Sequence, residues 1–419
     1  MRKRSPLRSE RPRQTRICLF IALLSIAASC YAGSSPSDFP SFMNTAKTVF
    51  TGKGDDFTMY AVLHAEYQTL PPADRKQAGQ FLSMIDAMFG RYDDAGRHYA
   101  DSFPAKAPIE CPSPPFQKTP IEDSIAAIAG NSRVLLVNES HSNVETRASI
   151  IRALPALRRA GYTHVAMEAL NPASPDAITQ GSGATGGDYL HDNVKAGFYL
   201  REPVYAQMVE EAHRLGYGLV AYESERTWDD QREAQQAANL KRWLDANPGA
   251  RVVVVAGYSH IWKSDGWMAE RLAASGVKST VAVDQIDGLR GCRGPENQST
   301  PVLWMTRQQH AWSSQPARVD ATVTWRPGRD RGGVSSWLTL GGRRMAVSIP
   351  QPCQGKRPCL LEARHVGADG SVPEDRLVLF RVVENAVLYL SPGKYVVLAR
   401  TSDETKRTTL EVVQHGAAH

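Results

Sequence analysis

The sequence predicts an α/β fold with a mostly parallel sheet and helices on both of its faces. Short apolar runs recur, among them residues 134–137 and 251–256, and the second contains four consecutive valines. Segments with helical spacing separate these runs. Strands that are buried on both faces have continuous apolar sequences, and alternation of strands with helices is typical of a parallel sheet.

Five strands and four helices are predicted in this part of the chain. The strands span residues 134–137, 164–167, 218–222, 251–256 and 280–283, and the helices 144–160, 203–215, 230–246 and 266–274. Pro203 suits the first turn of its helix. Pro155 predicts a kink in the first helix, and Gly161 its end.

Two regions of different character flank the α/β part, which is predicted to span residues 119–300. Residues 33–118 form a helical segment and a linker, because apolar side chains from Ala78 to Phe89 recur at helical spacing and Gly90 can end the helix. Residues 301–419 form a small all-β module in which short β-like runs alternate with turns. One run is 337–340, and 392–394 is predicted to be a hairpin turn between 387–390 and 395–399.

The N-terminus is predicted to be a signal peptide covering residues 1–32. Residues 2–16 carry seven Lys or Arg and one acid, residues 17–29 have no charge, and small residues follow. Cys30 is an alternative lipid-anchor site, which leaves a free periplasmic, an envelope-anchored and a secreted protein open. The mature chain has no other apolar run that could span a membrane.

Removal of this segment makes the mature protein electrically neutral. The whole chain has 49 Lys and Arg against 43 Asp and Glu, and the signal carries all of this excess, because it contains seven of the bases and one of the acids. Nucleic-acid binding proteins usually show a basic patch or stripe. No nucleic-acid partner is therefore expected.

Four cysteines remain after the signal peptide, and an exported protein can form disulfides. Cys353 and Cys359 bracket a short loop, which favours their pairing and leaves Cys111 with Cys292. The alternative is that some of the four are free thiols.

Acidic and histidine residues follow all five predicted strands. Ligands of an open parallel sheet bind outside the carboxyl ends of its strands, and the residues there are Glu139 with His141, Glu168, Glu223, His260 and Asp284. Residues two apart in an extended segment point to the same side, so Glu139 and His141 can face one point. Histidine with carboxylates can bind a divalent metal or act as a general base, and the sequence leaves both open.

Residues 171–200 are predicted to form a mobile lid over this site. The segment is long, contains the glycine-rich stretch 181–187 and has little periodicity. Long loops in compact domains are usually functional or disordered. A surface insertion is the alternative, and His191 is a further candidate ligand contact.

The order of these motifs resembles that of one superfamily. A strand followed by Gly-Glu-x-His, a later strand ending in Glu and a late strand followed by Gly-x-x-His are typical of the superfamily that contains erythromycin esterases, Tiki-type proteases, TraB proteins and ChaN-like haem-binding lipoproteins. The matches here are Asn138-Glu139-Ser140-His141, Glu168 and Gly257-Tyr258-Ser259-His260, and the stretches 199–205 and 231–240 are also similar. The resemblance covers roughly residues 120–290. Asn138 stands where the pattern has Gly.

The resemblance implies competing functions. In the esterase-like interpretation His141 is the base that activates water, and Glu139 and Glu168 orient His141 or the water. His260 completes the site, and Arg232 stabilises developing negative charge. In a Tiki-like variant, Glu139, His141, Glu168 and His260 bind a divalent metal that activates the water. In a ChaN-like interpretation the protein binds haem or another iron compound without catalysis. A binding or scaffold module is a further option. The sequence thus predicts an exported hydrolase acting on a small molecule or a peptide, with a haem- or metal-binding envelope protein as the alternative.

Overall fold

The computed structural model describes residues 39–104, 106–172, 190, 196–224, 231–292, 300–325 and 336–413. The predicted signal peptide with Cys30, and most of the predicted lid including His191, lie outside these ranges. No helix within them is long and apolar enough to cross a membrane.

An eight-stranded sheet forms the centre of the fold, and the predicted α/β class is confirmed. Its strands are β1 (Gln117–Pro120), β2 (Val134–Glu139), β3 (His164–Met167), β4 (Gly218–Ala221), β5 (Val252–Gly257), β6 (Thr280–Asp284), β7 (Val302–Met305) and β8 (Ala321–Thr324). They are ordered β1-β7-β8-β6-β2-β5-β3-β4. The five predicted strands lie side by side and pair in parallel, and β8 extends this parallel set. β7 pairs antiparallel with β8 on one side and with β1 on the other.

Helices cover both faces of this sheet, as predicted. They are α5 (Ile121–Ala129), α6 (Glu145–Arg159), α7 (Pro203–Arg214), α8 (Arg232–Ala246) and α9 (Met268–Ala274). Alternate β2 residues point to opposite faces. Leu135 packs in a core with α5, α6 and α7, whereas Leu136 packs in a core with α8 and α9. This burial on both faces explains why the strands are continuously apolar.

Among the described residues, four helices precede the sheet: α1 (Phe39–Phe50), α2 (Asp56–Thr69), α3 (Pro72–Met88) and α4 (Tyr92–Ser102). The first three form a hydrophobic core that also contains Leu360 and Val378 from the C-terminal strands, whereas α4 packs through Tyr92 and Ala95 in the core on one face of the large sheet. The N-terminal helices and the C-terminal strands therefore pack against each other. Asp86 in this core accepts a hydrogen bond from Tyr60 and pairs with Nδ1 of His98 at 2.6 Å.

The C-terminal part contains two antiparallel sheets. A four-stranded sheet has the order β11 (Asp375–Leu379), β10 (Cys359–His365), β13 (Gly393–Arg400) and β14 (Thr405–Val412), and a second sheet pairs β12 (Asn385–Leu390) with β9 (Met345–Pro350). The strands β7 and β8 lie after residue 300 in the chain and nevertheless belong to the large sheet.

Two local predictions in this part were wrong. Residues 337–340, expected as a strand, contribute to a 3₁₀ turn, Ser336–Thr339, whose Trp337 and Leu338 are fully buried. The apolar side chains are buried in the 3₁₀ turn, so their burial does not require a strand. The segment 392–394 is not a hairpin turn, because β12 pairs with β9 while β13 pairs with β10 and β14.

Both predicted disulfides are present. Cys111 bonds to Cys292 across 181 residues, and Cys353 bonds to Cys359 across 6 residues. The first joins the segment before β1 to the segment after β6, and it lies beside a backbone bridge between Ile109 and Cys292.

The two disulfides should differ in their contribution to stability. In the loop-entropy account, closing the longer loop contributes about 5 kcal/mol and closing the shorter one about 2 kcal/mol. We expect Cys111→Ser/Cys292→Ser to lower the free energy of unfolding, measured by urea titration, more than Cys353→Ser/Cys359→Ser does. An equal or larger loss from the second pair would contradict this.

Candidate functional site

The predicted site residues lie at the edge of the sheet where the parallel strands end. Glu139 ends β2, His141 follows two residues later, and Glu168 comes directly after β3. His260 lies in the 3₁₀ turn Tyr258–Ile261 after β5, and Arg232 is the first residue of α8. The side chains of Glu139 and Glu168 are 1% and 8% exposed, respectively. The structure thus places all five at one edge, in two adjoining clusters.

The first cluster is built on Glu139. One carboxylate oxygen pairs with Nδ1 of His141 at 2.5 Å, and the other accepts a hydrogen bond of 2.8 Å from Nε of Arg147. Arg147 is also buried, and its Nη1 donates to Glu202 at 3.0 Å. One cation thus bridges two buried carboxylates.

Glu202 connects this cluster to α7. Its carboxylate caps the helix by accepting from the backbone N–H groups of Val204 and Tyr205, and it also accepts from the hydroxyl of Tyr92. The Arg147 guanidinium lies over the Tyr205 ring, 4.4 Å from its centroid. Every oxygen of Glu202 therefore has a partner, which is what burial of a carboxylate requires.

The imidazole of His141 is held by aromatic rings and by a close backbone approach. It stacks on Tyr199 at 4.3 Å and meets the edge of Tyr258 at 5.0 Å. A Cβ atom on Gly257 would lie 3.0 Å from His141 Nε2 and 3.2 Å from a Glu168 oxygen. The absence of a side chain at Gly257 is what allows His141 and Glu168 to converge.

The second cluster is centred on Arg232. Its guanidinium donates to Glu168 at 2.6 Å and also pairs with Glu223, while its Nη1 lies 3.1 Å from Nε2 of His260. Nδ1 of His260 pairs with Glu233 at 2.8 Å. Glu168 also accepts from the Gly257 backbone N–H, and this bond ties the cluster to the end of β5.

Opposite charges offset the cost of burial in both clusters. Burial alone would raise the pKa of Glu139, but the charge of Arg147 and the hydrogen bonds from Arg147 and His141 outweigh it and lower that pKa. Burial likewise opposes ionisation of Glu168, whose pKa is nevertheless lowered by His260 and Arg232. Burial would lower the pKa of His260, and Glu168 with Glu233 raises it. Both acids are therefore held as carboxylates.

The four predicted metal ligands do not lie together as a metal-binding group. Within the part of the chain that the structure describes, no three His, Cys, Asp or Glu residues are placed to hold a metal ion. Glu168 and His260 share the Arg232 guanidinium, and Nδ1 of His141 faces Glu139. A guanidinium thus occupies the position between the carboxylate and the imidazole. The prediction of a metal at Glu139, His141, Glu168 and His260 stays untested.

Asn138 stands where the superfamily motif has Gly, and its side-chain amide makes hydrogen bonds to three other residues. Its amide nitrogen donates to Asp284 at 2.6 Å and to the carbonyl of Tyr258 at 2.9 Å, and its amide oxygen accepts from the backbone of Gln285. It therefore ties β2 to the ends of β5 and β6. Asp284, predicted at the site edge, belongs to this buried network.

Several residues of the site were not predicted from the sequence as functional. Arg147, Glu202 and Glu233 act as charged partners of predicted residues, and Tyr258 contacts the His141 ring. Arg147 lies in the first turn of α6 and is buried. Glu202 and Tyr199 lie in the stretch 199–205 that resembles the superfamily. Their contacts with Arg147 and His141 are long-range and have no local pattern.

Comparisons with protein-family models and with curated proteins found no match. Among solved structures, the type III effector HopBA1 is similar at 16% identity and a TM-score of 0.31, over 51% of this chain and 98% of that one. RRSP, a MARTX toxin effector domain from Vibrio vulnificus CMCP6, is similar at 16% identity and a TM-score of 0.32, over 61% of this chain and 66% of that one. Similarities this low carry no argument about function.

Substitution of Gly257 should test the close approach of His141. The backbone at Gly257 has a φ of −72°, which Ala adopts without strain, so the effect of Gly257→Ala isolates the collision with His141 and Glu168. We expect a loss of about 1–3 kcal/mol in the free energy of unfolding. Gly249→Ala is the matched control, because a Cβ there meets nothing within 4 Å. Equal stabilities of the two variants would contradict the proposed contact.

Asp284 should make stability depend on pH. Burial and the charge of Asp287 raise its pKa to about 6, above the unfolded value of about 3.9. The folded state therefore binds this proton more tightly, and its stability falls as pH rises from about 4 to about 6. Urea titrations across this window should show wild type losing about 3 kcal/mol relative to Asp284→Asn. Parallel stability curves for the two proteins would contradict this.

Proposed function

We propose that the protein is a hydrolase in which His141 activates a water molecule for attack on a carbonyl carbon. The single observation that carries the proposal is the hydrogen bond of 2.5 Å between Nδ1 of His141 and the buried carboxylate of Glu139. A carboxylate at Nδ1 fixes that nitrogen as the proton donor, so Nε2 has a lone pair for a proton. The resemblance to the erythromycin esterase, Tiki, TraB and ChaN-like superfamily supports the same role.

His141 and Glu139 have different roles in the proposed reaction. Nε2 of His141 takes a proton from water while the water oxygen bonds to the carbonyl carbon, and the carbonyl oxygen receives the displaced electron pair. Collapse of this intermediate breaks the bond to the alcohol or amine, which recovers the proton from His141. Glu139 positions His141 and stabilises the imidazolium that forms.

Positive charge for the developing oxyanion comes from the second cluster. Arg232 and His260 lie beside Glu168, and Glu168 adjoins the His141 ring at Gly257. Preorganised cations near the reacting carbonyl stabilise negative charge in the transition state. Glu168 and Glu223 hold Arg232 in place, and Glu233 does the same for His260.

The proposed compartment is oxidising. Two disulfides support export to the periplasm, the envelope or the medium, together with the basic and apolar segments of the predicted signal peptide. The proposed substrates are esters or peptides, and the lipid anchor at Cys30 is an alternative to a free mature chain.

A variant series on the purified mature protein tests the proposal. Chromogenic esters and peptides are screened with wild type, His141→Ala and Glu139→Gln. We expect His141→Ala to lower kcat/KM by about 10²–10⁴-fold, the usual contribution of a general base. Glu139→Gln should lower kcat with little change in KM, because it removes orientation of the base and leaves substrate contacts intact.

The control is His213→Ala, which removes an exposed histidine of α7 away from the site and should keep full activity. Circular dichroism melting curves identify variants that fail to fold. Dialysis against EDTA should leave turnover unchanged, because Arg232 supplies the positive charge. Absence of turnover on the whole panel, with a Soret band that titrates stoichiometrically with added haem, would contradict hydrolysis and favour ligand capture.

A further inference from the structure

A second candidate site lies away from the strand edge, in a cavity of about 550 Å³ between the N-terminal helices and the four-stranded sheet. Its walls come from the start of α2, the turn before α7 and the strands β10, β11 and β13. The residues that line it are Gly54, Asp55, Asp56, Phe57, Phe89, Arg201, Leu360, Glu362, Arg364, Arg376 and Arg400. The volume is within the range of small-molecule sites.

Four arginines and three acids line this cavity, so positive charge is in excess. Glu362 is shared by two guanidiniums, with Nε of Arg376 at 2.6 Å and Nη2 of Arg364 at 2.9 Å. Arg201 pairs with Asp56, and Arg400 pairs with Asp55. Four guanidiniums therefore share the three carboxylates of the walls.

Two of the four arginines are buried side chains. Arg376 and Arg201 are almost fully buried, and desolvation of a cation is costly even where a carboxylate lies beside it. Burial and the charge of Arg376 together lower the pKa of Arg201 to about 10. An anion in the cavity would relieve this repulsion.

Part of the wall is apolar. Phe57, Phe89 and Leu360 line it, and the guanidiniums of Arg400 and Arg376 each lie 5.5 Å from the ring centroids of Phe57 and Phe89, respectively. Guanidinium forks match the geometry of phosphate and carboxylate oxygens. The rings can pack against the hydrocarbon part of a ligand.

We propose that this cavity binds a small organic anion, with a phosphate or carboxylate group on the arginines and a hydrocarbon part on Phe57 and Phe89. The walls belong to three parts of the chain, so the ligand also joins the N-terminal helices to the C-terminal sheet. Binding here does not depend on the proposed hydrolysis.

Calorimetric titration of the full mature chain tests this site with phenyl phosphate and benzoate as probes. The variant Arg364→Gln/Arg400→Gln should weaken binding of both at least about tenfold, since each charge-assisted hydrogen bond is worth about 1.5–3 kcal/mol. Asp55→Asn should tighten it, because Asn removes the competing carboxylate and still caps α2. A general loss of structure would weaken binding in every variant, so it cannot explain tighter binding in Asp55→Asn.

The matched control is Arg407→Gln, which removes an exposed arginine of β14 outside the cavity and should leave binding unchanged. Benzyl alcohol has the same ring without charge and should not bind. Loss of binding in Arg407→Gln, unchanged binding in the double variant, or binding of benzyl alcohol as tight as that of phenyl phosphate would overturn the proposal.

Discussion

The buried guanidinium of Arg147 is the interaction on which the strand edge depends. It bridges Glu139 and Glu202, two carboxylates that burial would otherwise make costly. Removing one partner of such a network typically costs about 3–5 kcal/mol, because the remaining charge stays buried. Through Glu139 the network fixes His141, and through Glu202 it fixes the start of α7. A single cation thus aligns the end of a strand with the beginning of a helix.

A steric constraint at Gly257 complements this electrostatic one. Parallel strands deliver their terminal residues to one edge, but β2 and β3 lie on opposite sides of β5. His141 and Glu168 can meet only across the backbone that ends β5, and a side chain there would separate them. Asn138 stabilises the same edge of the sheet, because its amide joins β2 to the ends of β5 and β6.

The turn before α7 connects this edge with the rest of the molecule. Within Phe198–Arg201, Tyr199 stacks on His141, whereas Arg201 reaches the charged cavity formed with α2. The next residue, Glu202, belongs to the Arg147 network. The N-terminal helices and the C-terminal sheet share a hydrophobic core at the same place, so the flanking parts of the chain support the turn that contacts His141.

The sequence by itself determined the parallel strands, the covering helices, the disulfide pairing and the edge at which Glu139, His141, Glu168 and His260 meet. Most of these features have local causes: apolar runs of strand length, proline and glycine at helix ends, and the short spacing of Cys353 and Cys359, whose pairing leaves Cys111 with Cys292. It did not reveal that Arg147 lies between two carboxylates, that Arg232 lies between Glu168 and Glu223, or that β8 extends the parallel sheet. Only the tertiary structure decided these points, because each depends on partners distant along the chain whose contact has no local sequence pattern.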